Sequence, residues 1–121
     1  MGCVVAYVPD LLFGSQVLEA MRGAGHKTDL VGDEDALRAA AARHTPEVLI
    51  VDLTDDVPGR IELVGRIRAD GLIDGARLLG FYSHVEVDTR TLADDADFDL
   101  VVPRSRMARE GAALVDGMLA S

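Results

Sequence analysis

The chain has 121 residues, of which 49% are hydrophobic and 27% charged, a composition typical of one soluble globular domain spanning residues 1–121. Its formal net charge of −9 argues against direct binding of nucleic acid, because phosphate binding needs clustered lysine and arginine. Cys3 is the only cysteine and no apolar run is long enough to cross a bilayer, so we expect a cytoplasmic protein without an internal disulfide or a membrane partner.

The first half of the chain alternates between predicted strands and predicted helices. Val4–Val8 is an apolar run that predicts a buried strand, and apolar residues recur every three to four positions from Leu12 to Ala24, which indicates a helix. Thr28–Val31 predicts a short second strand. Asp33 is a candidate N-cap for an alanine-rich helix that Thr45-Pro46 ends.

The second half repeats this pattern. An apolar run within Pro46–Asp55 predicts the third strand, which ends abruptly at Asp52, and a turn at residues 55–59 leads into a helix. The remaining predicted elements are a fourth strand at Arg77–Tyr82, a weak acidic helix at residues 86–96, a fifth strand at Phe98–Val102 and a last helix at residues 106–119. Five such βα units predict the α/β class with a doubly wound parallel sheet.

The apolar run that ends at Asp52 is the strongest functional indication in the sequence. A continuous apolar run predicts a strand buried on both faces, as in parallel sheets. In open α/β sheets the chemistry lies outside the carboxyl ends of the strands, which is where Asp52 is placed, with Asp55 and Asp56 soon after it. Asp52 is therefore either functional or simply the polar end of a strand.

Three segments resemble the phosphoacceptor region of response-regulator receiver domains, the CheY-like family: Thr45–Leu53, Ile61–Val64 and Ile67-Arg68. The resemblance covers essentially the whole chain. It implies a flavodoxin-like (βα)5 fold, a three-layer sandwich with the sheet order 2-1-3-4-5, and a role in phosphorelay signal transduction. In that family an aspartate accepts a phosphoryl group, acids hold Mg²⁺, and a hydroxyl and a lysine sense the phosphoryl oxygens.

The resemblance assigns roles to three residues near the ends of the third and fourth strands. Asp52 matches the phosphoacceptor, and its alternative role is to cap the turn that follows its strand. Thr54 lies where the family contributes a main-chain carbonyl to the metal. Ser83 matches the hydroxyl that senses the phosphoryl group, or it caps the next helix.

The end of the first strand departs from the family. Asp10 is a single carboxylate where the family has an adjacent acidic pair. The resemblance therefore implies only a weak Mg²⁺ site, formed by Asp10, Asp52 and the Thr54 carbonyl, with water completing the coordination. The alternative role of Asp10 is to act as the N-cap of the first helix.

The sequence also departs from the family pattern after the fourth strand and in the fifth strand. Val102 stands where the family has a lysine before Pro103, so the ammonium group is missing. Arg104 is either long enough to reach the same pocket, or it caps the last helix together with Ser105. His84 follows the candidate hydroxyl, where a small residue is usual, and it either contacts the site and restricts access to it or is a surface histidine.

Two interpretations follow, and neither makes the chain an enzyme in its own right. The first is a stand-alone receiver domain that is phosphorylated on Asp52. The second is a pseudo-receiver that only binds protein partners, as the missing acid and lysine indicate. The partner would be a histidine kinase, a downstream signalling protein or a second copy of the chain in a homodimer. The contact surface is either Leu11–Phe13 or the acidic predicted helix at residues 86–96 with the fifth strand, and the sequence does not choose between them.

A small-molecule-binding, flavodoxin-like domain is a third interpretation, which the sequence favours least. A flavin phosphate needs a loop rich in serine, threonine or glycine after the first strand, whereas Pro9–Leu12 supplies acidic and apolar groups. No glycine-rich nucleotide motif is present, and Cys3 and the three histidines are too scattered for a zinc-binding pattern.

Overall fold

The structure is a computed structural model that describes residues 2–83, 91–94 and 96–120. Within these residues, five strands form one sheet: β1 (Cys3–Tyr7), β2 (Lys27–Val31), β3 (Val48–Asp52), β4 (Arg77–Tyr82) and β5 (Leu100–Pro103). The four longer helices are α1 (Leu11–Gly23), α2 (Glu34–His44), α3 (Val57–Ala69) and α4 (Arg104–Ala120). All pairings are parallel and the order is β2-β1-β3-β4-β5, which confirms the predicted α/β class and sheet order.

The sheet is covered by helices on both faces, and β3 shows why. Its side chains alternate between two buried clusters, with Leu49 and Val51 in one and Val48 and Ile50 in the other. The first cluster includes buried residues of α2 and α3, and the second includes buried residues of α1 and α4. Each of the four β3 residues is 0% exposed, so the continuous apolar run of the sequence reflects burial on both faces.

Local capping sets the ends of the helices and explains one wrong boundary. The turn predicted at residues 55–59 is shorter than expected, because α3 already begins at Val57. The Asp56 side chain accepts a hydrogen bond from the Gly59 N–H, and Pro58 in the first turn needs no N–H partner there. Asp33 caps α2 as predicted.

The other boundaries agree with the predictions to within two residues. The strand predicted at residues 98–102 spans Leu100–Pro103, and the last helix begins at Arg104 instead of residue 106. Residues 91–94 of the acidic helix predicted at 86–96 are helical, whereas residues 86–90 and 95 lie outside the described part of the chain. Among the described residues, no helix is both long and apolar enough to span a membrane.

A buried histidine joins the amino-terminal part of the chain to the last helix. His26 is 4% exposed, and its Nδ1 accepts a hydrogen bond from the Gly2 N–H at 3.0 Å. Its Nε2 therefore carries the proton and donates to Asp116 Oδ1 of α4 at 2.6 Å. This contact fixes the carboxyl-terminal part of α4 against the start of the sheet.

The strand register places the ends of the central strands side by side. Asp52, the last residue of β3, is paired with Phe81 of β4, and Phe81 is paired with Val102 of β5. Tyr7, the last residue of β1, is paired with Val51. The segments that follow these strands therefore meet at one edge of the sheet, where the candidate site lies.

We predict that Leu49→Ala destabilises the fold by about 2–5 kcal/mol, because it leaves a cavity in a fully buried strand. The matched control is Leu12→Ala, which removes the same atoms from a side chain that is 74% exposed and should change stability by less than about 0.5 kcal/mol. Urea unfolding followed by circular dichroism measures both. Equal effects for the two variants would contradict the burial of β3.

Candidate functional site

Asp52 lies at the carboxyl end of the central strand β3 and is held in a fixed orientation. It is 3% exposed. Its Oδ1 accepts hydrogen bonds from the Thr54 N–H at 2.8 Å and from the Thr54 hydroxyl at 2.5 Å. Among the described residues, no donor is bonded to its other carboxylate oxygen, Oδ2. Within the described part of the chain, the site therefore presents one oriented carboxylate whose Oδ1 is engaged.

The main chain at Asp52 is also anchored. The Asp52 carbonyl oxygen accepts a hydrogen bond from Arg60 Nη1 of α3 at 2.7 Å. The Arg60 guanidinium lies 5.1 Å from the centre of the Tyr7 ring, which places it over the end of β1. The sequence does not predict the contact of Arg60 with the Asp52 carbonyl, because an arginine in a predicted helix is usually exposed to solvent.

The Thr54 side chain is the second contact that sequence reasoning missed. The resemblance assigned only a main-chain carbonyl role to this position, and that role stays a prediction. The structure adds the hydrogen bonds from its N–H and hydroxyl to Asp52. The signal was present, because an aspartate followed two residues later by an N–H donor commonly closes a local turn.

Asp10 follows β1 and has both of its carboxylate oxygens engaged. Its Oδ1 accepts hydrogen bonds from the N–H groups of Leu12 at 3.0 Å and Phe13 at 3.2 Å, which makes it the N-cap of α1, one of the two predicted roles. Its Oδ2 accepts a hydrogen bond from Arg104 Nη2, also at 3.0 Å. A helix end and a guanidinium thus share this carboxylate.

Arg104, the first residue of α4, reaches across to the end of β1. The sequence left open whether it reaches the site or caps the last helix, and the structure places its side chain on Asp10. Its guanidinium also lies 4.2 Å from the centre of the Phe13 ring, and that ring is 5.1 Å from the ring of Phe81 on β4. Arg104 therefore rests on an aromatic pair that is itself part of the core.

These contacts lower the pKa of Asp10 below its ordinary value. The largest cause is the hydrogen bond from the Phe13 N–H, followed by the hydrogen bond from the Arg104 side chain. Both favour the ionised carboxylate. The Asp10 carboxylate is ionised at neutral pH, and Arg104 compensates its charge from within the chain.

The remaining predicted site residues contribute less to the described geometry. Ser83 is exposed and directly follows β4, so its predicted role stays a prediction. His84 lies outside the described residues. Val102, which the resemblance aligns with the family's lysine, is buried in β5 and supplies an apolar side chain to the core.

The oxygen atoms near Asp52 do not form the set of ligands needed by the Mg²⁺ ion that the resemblance implies. Mg²⁺ requires oxygen ligands at close range in near-octahedral geometry. Both oxygens of Asp10 already accept hydrogen bonds, and Oδ1 of Asp52 accepts two. Within residues 2–83, 91–94 and 96–120, no group of three or more histidine, cysteine, aspartate or glutamate residues could hold a metal ion. The positive charge beside Asp10 is instead the guanidinium of Arg104.

Comparison with known proteins gives a structural likeness without a sequence match. No protein-family model matches the chain, and no curated protein matches its sequence. A response regulator from Thermotoga maritima superposes with a TM-score of 0.86 at 14% sequence identity, covering 100% of this chain and 99% of that one.

Two further solved structures have the same architecture. The chemotaxis protein CheY4 of Vibrio cholerae superposes with a TM-score of 0.84 at 14% identity, covering 98% of both chains. A CheY-like receiver domain protein from Methanospirillum hungatei gives a TM-score of 0.74 at 11% identity, covering 99% of this chain and 98% of that one. The chain therefore has the fold of CheY-like response-regulator receiver domains.

We predict that Thr54→Val lowers the free energy of unfolding by about 1–3 kcal/mol, because it removes a hydrogen bond to a buried carboxylate. Thr54→Ser keeps the hydroxyl and should retain most of that stability. Urea unfolding at neutral pH measures both variants. An equal loss in the valine and serine variants would show that the hydroxyl contributes nothing to holding Asp52.

We also predict that the pKa of Asp10, measured by carboxyl-carbon NMR, rises in Arg104→Gln but stays below its ordinary value, because the α1 amide bonds remain. In the native chain, the stabilisation from ionised Asp10 is present above its unfolded-state pKa and is lost as the pH falls through its folded-state pKa. Arg106→Gln, which removes a nearby arginine paired with Glu110, serves as the control. An unchanged Asp10 pKa in Arg104→Gln would contradict the contribution of the ion pair.

Proposed function

We propose that this chain, which has the fold of response-regulator receiver domains, acts in signal transduction by binding protein partners, without phosphorylation of Asp52 in use. The observation that supports this most directly is the state of Asp10. One of its oxygens caps α1 and the other binds Arg104. The carboxylate beside β1 is therefore committed to the structure of the domain.

The charge requirements of phosphoryl transfer give the physical reason. Transfer to a carboxylate places a dianionic group beside other acids, and a metal ion and a cationic side chain normally neutralise it. In this chain the carboxylate that would help hold the metal is already paired with Arg104. The lysine position is Val102, which is buried in the core. Both departures weaken phosphoryl transfer and leave the fold intact.

A protein partner fits the surface next to this site. Leu11 and Leu12 are 79% and 74% exposed, and they form the first turn of α1, directly after Asp10. Two large exposed apolar side chains in one helical turn favour a protein contact. The net charge of −9 disfavours nucleic acid as the partner. The proposed partner is a histidine kinase, a downstream signalling protein or a second copy of the chain.

Phosphorylation of Asp52 is the second candidate function, and one observation favours it. Asp52 matches the family's acceptor in the sequence and ends the central strand β3. Among the described residues no donor bonds to its Oδ2, which is the oxygen that would attack a phosphodonor. This function requires a weak Mg²⁺ site at Asp10, Asp52 and the Thr54 carbonyl, with Ser83 sensing the phosphoryl group. Asp10 would have to release Arg104 to join that site.

We predict that acetyl phosphate with millimolar Mg²⁺ adds no phosphoryl group to the native protein, and that beryllofluoride with Mg²⁺ leaves its amide NMR spectrum unchanged. Intact-protein mass spectrometry and two-dimensional NMR measure these results, because the cationic groups that phosphoryl transfer needs are committed elsewhere or missing. Asp52→Asn, which lacks the acceptor carboxylate, is the negative control for both experiments. An acid-labile, Mg²⁺-dependent modification that disappears in Asp52→Asn would establish the second function and overturn the first.

The second part of the proposal, that the chain binds protein partners independently of Asp52, is tested with Asp52→Asn. Once a protein partner has been isolated on the native domain, its affinity for Asp52→Asn should lie within about twofold of the native value, because Asn keeps the shape of the side chain. Titration calorimetry measures both affinities. A large loss of affinity would show that the charge of Asp52 takes part in signalling.

A further inference from the structure

The ion pair between Asp10 and Arg104 joins segments that the sheet keeps apart. Asp10 follows β1 and Arg104 follows β5, and both β3 and β4 lie between those strands. The side chains can meet only in the helical layer formed by α1 and α4, beside the carboxyl ends of the intervening strands. Asp52 ends one of these strands. The guanidinium is therefore placed on the same edge as the candidate phosphoacceptor.

Arg104 is held there by more than its charge. The Phe13 ring under its guanidinium is 6% exposed and packs against the buried Phe81, so the surface below the arginine is rigid. Its main chain is fixed in the first turn of α4. An exposed ion pair alone contributes little, but stacking and helix formation reduce the entropy that the arginine loses on pairing.

We propose that Arg104 is a built-in substitute for a divalent cation: its guanidinium and a divalent ion are alternative partners of Asp10, and the native chain excludes the ion. This inference rests on the proposed function, because each assumes that Asp10 and Asp52 belong to the same site. It goes further by naming the side chain that excludes the metal. It also predicts that Arg104→Gln strengthens the binding of a divalent ion to Asp10.

The exclusion has two physical causes. A divalent ion bound at about 2.1 Å to Oδ2 of Asp10 would compete with the Arg104 guanidinium, whose N–H this oxygen accepts at 3.0 Å. A bound divalent ion would also lie next to the positive charge of Arg104, which raises its free energy. Removing the guanidinium releases Oδ2 of Asp10 and makes the local charge more negative by one.

The experiment is a titration with Mn²⁺, which broadens the amide NMR signals of residues near its binding site. Arg104→Gln should bind Mn²⁺ on the order of tenfold more tightly than the native protein, because one opposing charge is gone. The broadening should centre on the amides of Leu12, Phe13 and Thr54, next to the two carboxylates. The same spectra show directly whether each variant is folded.

Two further variants make the result specific. Arg106→Gln removes an arginine two residues along α4 that pairs with Glu110 at 3.5 Å, and it should bind Mn²⁺ like the native protein. Asp10→Asn combined with Arg104→Gln keeps a side-chain oxygen for the α1 amides but removes the negative charge, so the gained binding should disappear.

Three results would overturn the inference: tight Mn²⁺ binding by the native protein at Asp10, no gain in Arg104→Gln, or a gain that persists in the double variant. None of these titrations contains a phosphodonor. A failure here is therefore distinct from a failure of the proposed function, which would appear as a phosphoryl group on Asp52 of the native chain.

Discussion

The burial of β3 on both faces is the constraint on which the rest of this structure depends. Four consecutive side chains from Val48 to Val51 alternate between two clusters and expose nothing to solvent, so a polar residue is tolerated only where the strand reaches the edge of the sheet. Asp52 is that residue. Its carboxylate is brought to the edge by packing. Thr54 then fixes the orientation of that carboxylate, and Arg60 anchors the Asp52 main-chain carbonyl.

The same sheet order determines how the charge near Asp52 is balanced. Because β1 and β5 are not neighbours, the groups that follow them meet only through side chains in the helical layer. Asp10 and Arg104 do this with the help of the Phe13 ring. Since the fold depends on apolar packing, it is compatible with the proposal that the Arg104 side chain takes the place of a divalent ion beside Asp10.

Much of the fold could be predicted from the sequence because its signals are local. The apolar run before Asp52, the N-cap at Asp33 and the alternation of elements each depend on neighbouring residues. The sequence left open whether Arg104 reaches the site or caps the last helix, because its contact with Asp10 joins positions 94 residues apart and depends on where α4 begins. The contact from the Thr54 hydroxyl was not predicted, because the resemblance assigns only a main-chain carbonyl role to that position.

The last helix is attached at both ends to the first part of the chain. Arg104 binds Asp10 at its beginning, and Asp116 binds the buried His26 near its end. Helix α4 therefore cannot separate from the sheet without breaking contacts made by residues that precede β2. The two ends of the sequence are therefore joined by side-chain contacts at both ends of α4, and opening of this helix requires that both contacts break.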